Sequence, residues 1–266
     1  MRITVCIKQV PDTNKVEVDP VTGVLKRSGV DSKMNPYDLY AVETAMRLKE
    51  QSGGSVCVIT MGPPQAEAVI KEAYSLGADT GVLLTDRAFA GADVLATSRA
   101  ISAGIKKSGD FDLIICGKQS TDGDTAQVGP EISEWLNIPS VTNVKSITSF
   151  DETSITVERE TPSSVETLRL EFPCLISVDK DIYIPRLPSY LRKKATADRE
   201  ILRLGINDLE DSDEKHYGLN GSPTQVQRIF PPESNSTREI WTGDGQQLSE
   251  KIIGKLKELK FVREVK

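Results

Sequence analysis

The chain has 266 residues, 33 Lys+Arg against 39 Asp+Glu for a net charge of −6, one histidine and four cysteines. That length fits one large α/β domain with appendages and a sizeable core, and 38% hydrophobic with 27% charged residues excludes wholesale disorder. The lone His216 excludes a two-histidine metal site, the acidic balance speaks against a nucleic-acid partner, and no apolar run reaches the roughly 18 residues of a membrane span.

Taken in chain order, the first two-thirds alternate strand and helix. Ile3 to Val10 is an apolar run broken by Lys8-Gln9 and reads as a strand buried on both faces. Lys8 behind it removes the h-region of a signal peptide. Val16 to Leu25 alternates and turns at Asp19-Pro20 and Thr22-Gly23, as a short hairpin does. Asn35-Pro36-Tyr37-Asp38 opens a helix, with Asn at the cap, Pro at the first helical position and an acid in the first turn. Its inward stripe is Leu39, Val42, Ala45 and Met46, and Lys49 to Gly54 stops it. Val56 to Met61 is a second strand, followed by Gly62-Pro63-Pro64 and a helix with Ala66, Val69, Ile70 and Ala73 inward, closed by Leu76 to Asp79. Gly81 to Thr85 is a third strand, and a helix from about Ala92 to Lys107 carries Leu95, Ser98, Ile101 and Ile105 on one face. Phe111 to Cys116 is a fourth strand. Gly117 opens a polar loop into a helix around Gly129 to Leu136, and Val141 begins a short last strand of this series. The βαβα rhythm predicts a mostly parallel, doubly wound sheet with helices on both faces.

After Ser146 the pattern changes. Residues 154–160 and 165–171 alternate around Thr161-Pro162-Ser163-Ser164 and predict an antiparallel hairpin with one wet face, and Phe172 to Val178 returns as an apolar strand. From Pro185 periodicity is lost, with no sheet-forming repeat up to Lys251. An amphipathic helix, Gln247 to Val262, closes the chain on a stripe of Leu248, Ile252, Ile253, Leu256 and Leu259. The polar stretch after Ser222 has no core of its own and is expected to wrap the body or a partner. The division expected is an α/β nucleotide- or flavin-binding domain over 1–184 and a docking segment with a C-terminal arm over 185–266.

Little in the chain performs acid–base or nucleophilic chemistry. His216 lies in a polar stretch with no nucleophile elbow elsewhere, and Cys6, Cys57, Cys116 and Cys174 contain no Cys-x-x-Cys. Three of these cysteines sit in strand-like runs and read as buried, reduced thiols of a cytoplasmic protein. The segment with the most chemical content is Gly117 to Pro130, which leaves a buried strand and enters a helix, the place where open α/β sheets bind ligands. Its small and hydroxyl residues free backbone N–H groups for a phosphate. It is neither a P-loop nor a Gly-x-Gly-x-x-Gly turn, so an ordinary polar βα loop and a nucleotide cradle both stay open. The end of the first strand, the Asn35–Asp38 turn and Met61-Gly62-Pro63 would converge on the same edge of a parallel sheet.

At these residues the chain resembles the β subunit of an electron-transfer flavoprotein. The matching pieces are Val5 to Asp12, Met34 to Asp38 with Ala41 to Ala45, Gly77-Ala78-Asp79, Gly117 to Pro130, Val157 to Glu160 and Leu187 to Leu191, in order along nearly the whole chain. The resemblance implies a Rossmann-like adenine-nucleotide fold and a heterodimer with an FAD-bearing α subunit. It places the nucleotide against Cys6, Asn35, Asp38, Met61, Gly117, Lys118, Gln119, Asp122, Gly123, Asp124, Thr125, Ala126, Gln127 and Val128. In the AMP-binding branch this loop tends to read Asp-Asp-Asp-Cys-Asn-Gln-Thr. Here Asp122-Gly123-Asp124-Thr125-Ala126-Gln127-Val128 resembles the electron-bifurcating branch, in which a second FAD replaces AMP. The expectation is an electron carrier that takes a hydride from NADH and serves the α-subunit flavin, a partner dehydrogenase of the acyl-CoA or 2-hydroxy-acid type, and ferredoxin. The alternative is structural AMP in a non-bifurcating scaffold. The resemblance also makes Pro185 to Ala195 the loop that docks partner dehydrogenases, with Leu187 as anchor and Tyr190 and Leu191 beside it.

Overall fold

The computed structural model describes residues 1–12, 32–227 and 238–262, so the hairpin expected over Val16 to Leu25 lies outside the described residues. The chain forms two compact units, Met1–Arg228 and Ile229–Lys266.

In the first unit the elements run β1 (Arg2–Cys6), β2 (Gln9–Pro11), β3 (Ser32–Met34), α1 (Pro36–Ser52), β4 (Ser55–Met61), α2 (Glu67–Leu76), β5 (Thr80–Leu84), α3 (Val94–Ser108), β6 (Leu113–Gly117), α4 (Val128–Leu136), β7 (Ser140–Phe150), β8 (Ser154–Glu160), β9 (Val165–Glu171), β10 (Cys174–Val178), α5 (Tyr190–Ala195) and β11 (Leu202–Leu204). The main sheet has the order β11-β5-β4-β1-β6-β10-β7-β8-β9, and β2-β3 form a small antiparallel ribbon. The first six pairings, from β11 to β7, are parallel; β7-β8 and β8-β9 are antiparallel. The mostly parallel α/β class and the 154–171 hairpin stand as expected.

Alternation along β1 divides the core. Ile3, Val5 and Ile7 join Val42, Ala45, Met46, Val69, Ile70 and Ala73 of α1 and α2 on one face. Cys6, with Ile59, Leu84, Ile114 and Cys116, joins Ile101 and Ile105 of α3 and Ile132 of α4 on the other. Strands covered on both faces explain the unbroken apolar runs, and each fully buried aliphatic side chain contributes about 1.5–3 kcal/mol. Gly53, at φ +69°, closes α1 in the left-handed region and donates its N–H to Lys49 O.

Three expectations are corrected. The strand after α4 is neither short nor last: β7 runs eleven residues, pairing with β10 at its start and with β8 further on. The region from Pro185 does contribute to the sheet, through β11 beside β5; three residues carry no readable period, and long-range contacts such as Tyr74 Oη donating to Glu200 O (2.8 Å) hold the approach to it. On α3, Ser98, Ile101 and Ile105 face inward while Leu95 in the first turn is exposed.

In the second unit, α6 (Gly245–Glu258) is capped by Asp244, whose Oδ1 accepts from Gln247 N at 2.9 Å. Its Ile252, Ile253 and Leu256, and Leu259 just beyond, are exposed. Among the described residues no helix is long and apolar enough to cross a membrane.

Candidate nucleotide site at the carboxyl edge of the sheet

Parallel pairing brings the ends of β1, β4 and β6 to one edge, where a turn and a long loop meet. Asn35 is the junction. Its backbone N–H donates to Lys8 O (2.8 Å), its Nδ2 donates to both Asp38 Oδ1 (2.9 Å) and Gln119 O (2.9 Å), and its Oδ1 accepts from Thr121 N (3.1 Å). The side chain therefore makes no capping bond to α1, as the sequence had suggested it would; it is spent on the 117–128 loop instead. Pro36 at the first helical position removes one N–H that would have needed that cap.

Asp38 lies beneath this junction, 5% exposed. Its Oδ2 accepts from Lys8 N (2.7 Å) and its Oδ1 from Asn35. Burial pushes its carboxyl up to about 7, against the downward pull of the Asn35 and Lys8 hydrogen bonds. Gly117 ends β6 directly against it: a Cβ there would come within 2.5 Å of Asp38 Oδ1 and 2.7 Å of the Tyr37 carbonyl carbon. Only glycine lets the loop leave the sheet at this depth.

Beyond Gly117 the loop is tied at both flanks. Lys118 N donates to Val178 O (2.8 Å) and its Nζ lies 3.1 Å from Asp179, which also receives Lys145 at 3.3 Å. Burial opposes the charge of Asp179, but the hydrogen bonds from Lys118, the Lys180 backbone and Lys145, with the Lys118 charge, together outweigh it and hold the carboxyl below its ordinary value. Lys8 Nζ grips both oxygens of Asp122 at 2.6 and 2.8 Å. Gln119 Nε2 bonds Asp124 Oδ1, and Asp124 N donates to Ser120 O at 2.9 Å. Asp124 and Ala126 both hold φ at +55°, an uncommon conformation for residues with a side chain. The backbone turns sharply there and enters α4, whose opening N–H groups, those of Val128 and Gly129, have no partner within the helix.

Cys6 and Cys116 are register partners on adjacent strands and both are buried. Hydrogen bonding to Cys116 and then burial raise the Cys6 thiol well above its usual range, so it stays neutral. Met61, half-buried, ends β4 beside the same second-face cluster.

The structure thus gathers Cys6, Asn35, Met61, Gln119 and Asp122 to Val128 around one edge. Asp38 supports that edge from below with both oxygens occupied, and the Lys118 ammonium turns to Asp179. The lone histidine is a surface group, Nδ1 lying 2.8 Å from Asp211 Oδ2. Leu187, Tyr190 and Leu191 stand out at 88%, 77% and 77% exposure. Sequence reading overlooked Arg186, which is bonded to Glu43 and Glu50; a lone arginine in an aperiodic stretch gives no sign of a partner on a distant helix. Among the described residues no cluster of His, Cys, Asp and Glu could hold a metal ion.

The model of the electron transfer flavoprotein domain matches residues 22–204, more than two-thirds of the chain. The chain belongs to the electron transfer flavoprotein family. It is 44% identical over 96% of its length to the electron transfer flavoprotein subunit beta of Thermoanaerobacterium thermosaccharolyticum, covering 98% of that chain. It is 43% identical to the caffeyl-CoA reductase-Etf complex subunit CarD of Acetobacterium woodii, over 97% of this chain and 98% of that one. To the protein FixA of Sinorhizobium fredii it is 43% identical, over 90% and 86%.

Proposed function

We propose that the chain is the β subunit of a heterodimeric electron transfer flavoprotein and binds FAD at the edge formed by β1, β4 and β6. The observation that carries this reading is the 117–128 loop. It is fixed to the body by Asn35 and Lys8, carries only small side chains at Gly123, Thr125 and Ala126, and ends on the free N–H groups of α4. Backbone donors at a helix start suit a diphosphate, and the small side chains leave room beside it. The residues present therefore fit the group: Cys6, Met61 and the loop would hold it, while Asn35 and Asp38 fix the loop's position. When bound, FAD would supply hydride acceptance from NADH and one-electron delivery to the α-subunit FAD, a flavin dehydrogenase and ferredoxin, which is flavin-based electron bifurcation. The chain itself binds, orients and docks.

The partner dehydrogenase is of the acyl-CoA or 2-hydroxy-acid type. The similarity to a subunit of a caffeyl-CoA reductase complex supports the former. Leu187, Tyr190 and Leu191 form the docking element, an exposed apolar cluster beside Arg192, Lys193 and Lys194. The complex works in the cytoplasm, with residues 1–184 as its flavin-binding part and 185–266 as its docking part.

A second reading places AMP at the same edge, as a structural group in a non-bifurcating carrier. It is favoured by the commitment of Lys8 and Lys118 to Asp122 and Asp179, which leaves neither ammonium for a second phosphate. Cofactor stoichiometry of the co-expressed heterodimer separates the two. Two FAD per heterodimer, one of them bleached by NADH, is the expected result; one FAD with one AMP would overturn the bifurcating reading and leave the scaffold.

A further inference from the structure

The docking segment leaves the body at Arg186, and the contacts of this residue differ from those of its neighbours. Leu187 and Ile184 on either side of the Pro185-Arg186 step are almost fully exposed, at 88% and 87%. Arg186 is 23% exposed in its side chain and directs every donor at α1. Its backbone N–H and Nε both donate to Glu43 Oε2, at 3.1 and 2.7 Å. Its Nη2 reaches Glu43 Oε1 and Glu50 Oε2, both at 3.3 Å, and its Nη1 reaches Glu50 Oε1 at 2.6 Å. One guanidinium thus bridges two carboxylates a further two turns apart on the same helix.

Glu43 is buried, with its side chain 4% exposed, and its charge is shared by two arginines. Arg47 donates to Oε1 at 2.9 Å and stacks its guanidinium 4.4 Å from the Tyr183 ring, three residues before Arg186. A buried carboxylate is retained only where it is paired and hydrogen-bonded, and here both partners bear on the 183–186 approach. Further along, Ser189 N donates to Ser75 O (3.0 Å) and Arg192 Nη1 to Leu76 O (3.1 Å), so α2 holds the far side of the segment. The apolar residues that project are therefore carried on a root pinned at both ends.

The helix that holds this root also begins the nucleotide edge. Asp38, beneath the 117–128 loop, precedes Glu43 by five residues and Glu50 by twelve, about 8 and 18 Å along an α-helix axis at 1.5 Å per residue. A planar fork bound to two carboxylates fixes orientation as well as position, which a lysine ammonium does not.

The geometry points to Arg186 as a positioning residue: through Glu43 and Glu50 it fixes the exposed Leu187 relative to α1, and so relative to the nucleotide edge that α1 begins, making a preformed docking element for a partner flavoenzyme. This rests on the reading of Leu187 to Leu191 as the docking element. It assigns Arg186 no contact with cofactor or substrate.

The test uses the co-expressed heterodimer, with a purified acyl-CoA dehydrogenase as redox partner and amide hydrogen exchange of the 183–196 peptide as the structural readout. Arg186→Ala should speed exchange in that peptide and raise KM for the dehydrogenase about tenfold, with kcat held within about twofold, because a preorganised element is lost while the transfer step is untouched. Arg186→Lys should stay close to the alanine variant. Glu50→Gln, at an exposed position, should raise KM about two- to threefold and covers the case in which the arginine variants fold poorly. Leu187→Ala is run in parallel. Unchanged exchange in Arg186→Ala would overturn the clamp. Faster exchange with unchanged KM, while Leu187→Ala raises KM, would overturn the positioning role and leave the docking reading in place. An unchanged KM in Leu187→Ala would overturn the docking reading, and the positioning role with it.

Discussion

Asp38→Asn isolates the electrostatics of the buried junction. Asp38 is 5% exposed, and its carboxyl stands at about 7 against an ordinary 3.8. Burial raises it, and the Asn35 and Lys8 hydrogen bonds pull it part of the way back. The folded value lies above the unfolded one, so the folded chain binds this proton more tightly. The associated stability is fully present below about pH 4 and is lost progressively as pH rises to about 7. Three units at about 1.4 kcal/mol each give about 4 kcal/mol across that window.

The asparagine cannot ionise, so this slope disappears. Its Oδ1 can still accept from Lys8 N, but an NH2 then faces Asn35 Nδ2, whose direction Gln119 O and Thr121 N already fix. That lost bond costs about 1–3 kcal/mol at every pH. The two effects cross between about pH 4.5 and 6: below that range the variant is less stable than wild type, and above it the variant is the more stable protein. Urea unfolding of the full chain from pH 4.5 to 8, read as the difference between the two proteins, measures this directly. Carboxylates that do not interact with Asp38, including the burial-raised Glu72 and the Arg2-paired Asp112, contribute equally to both and cancel. A difference that stays flat across the window would refute the claim that Asp38 is a buried acid poised by its surroundings.

Two further substitutions probe the same edge. Gly117→Ala puts a methyl within 2.7 Å of the Tyr37 backbone, which cannot yield as a flexible side chain would; thermal or urea unfolding should show a loss of about 2–3 kcal/mol, together with weaker cofactor retention. Asn35→Ala deletes the three hydrogen bonds that hold Asp38, Gln119 and Thr121 together, and should raise the apparent Kd for the adenine-nucleotide cofactor at least tenfold, at roughly 1 kcal/mol per bond, as measured by cofactor release on gel filtration and by titration back into the stripped heterodimer.

The periodic elements were legible because their pattern is local. Apolar runs at β1, β4, β6 and β10, the amphipathic stripes of α1 and α2, and the alternation of β8 and β9 each encode burial within a few residues. The strand order was not, because β10 inserts between β6 and β7 through contacts that span some 60 residues of chain. At three residues, β11 is shorter than either periodicity needs to show itself. The position of the Gly117 to Pro130 loop at the carboxyl edge of the sheet was legible from its place between a strand and a helix, but the work of individual side chains followed from pairing. Asn35 looked like a helix cap and serves the loop; Lys118, expected against the nucleotide, meets Asp179, and Lys8 meets Asp122. Arg186 had no local signal, since its partners lie 143 and 136 residues away.

The place of β10 in the sheet also governs how the chain is made. During synthesis Leu113 to Gly117 emerge well before Cys174 to Val178, the strand that will cover their open side. The 56 residues between Gly117 and Cys174 take about 3–11 s to add at roughly 5–20 residues per second. Through that interval the apolar run Leu-Ile-Ile-Cys presents an unpaired edge in the nascent chain, while the local β8-β9 hairpin can already close. The Lys118 N–H finds Val178 O only when β10 docks, so the nucleotide loop acquires its final anchor last. A nascent chain stalled short of residue 174 therefore holds the residues of the cofactor edge, with the Asn35 and Lys8 ties to its loop, but lacks the Val178 and Asp179 partners of Lys118.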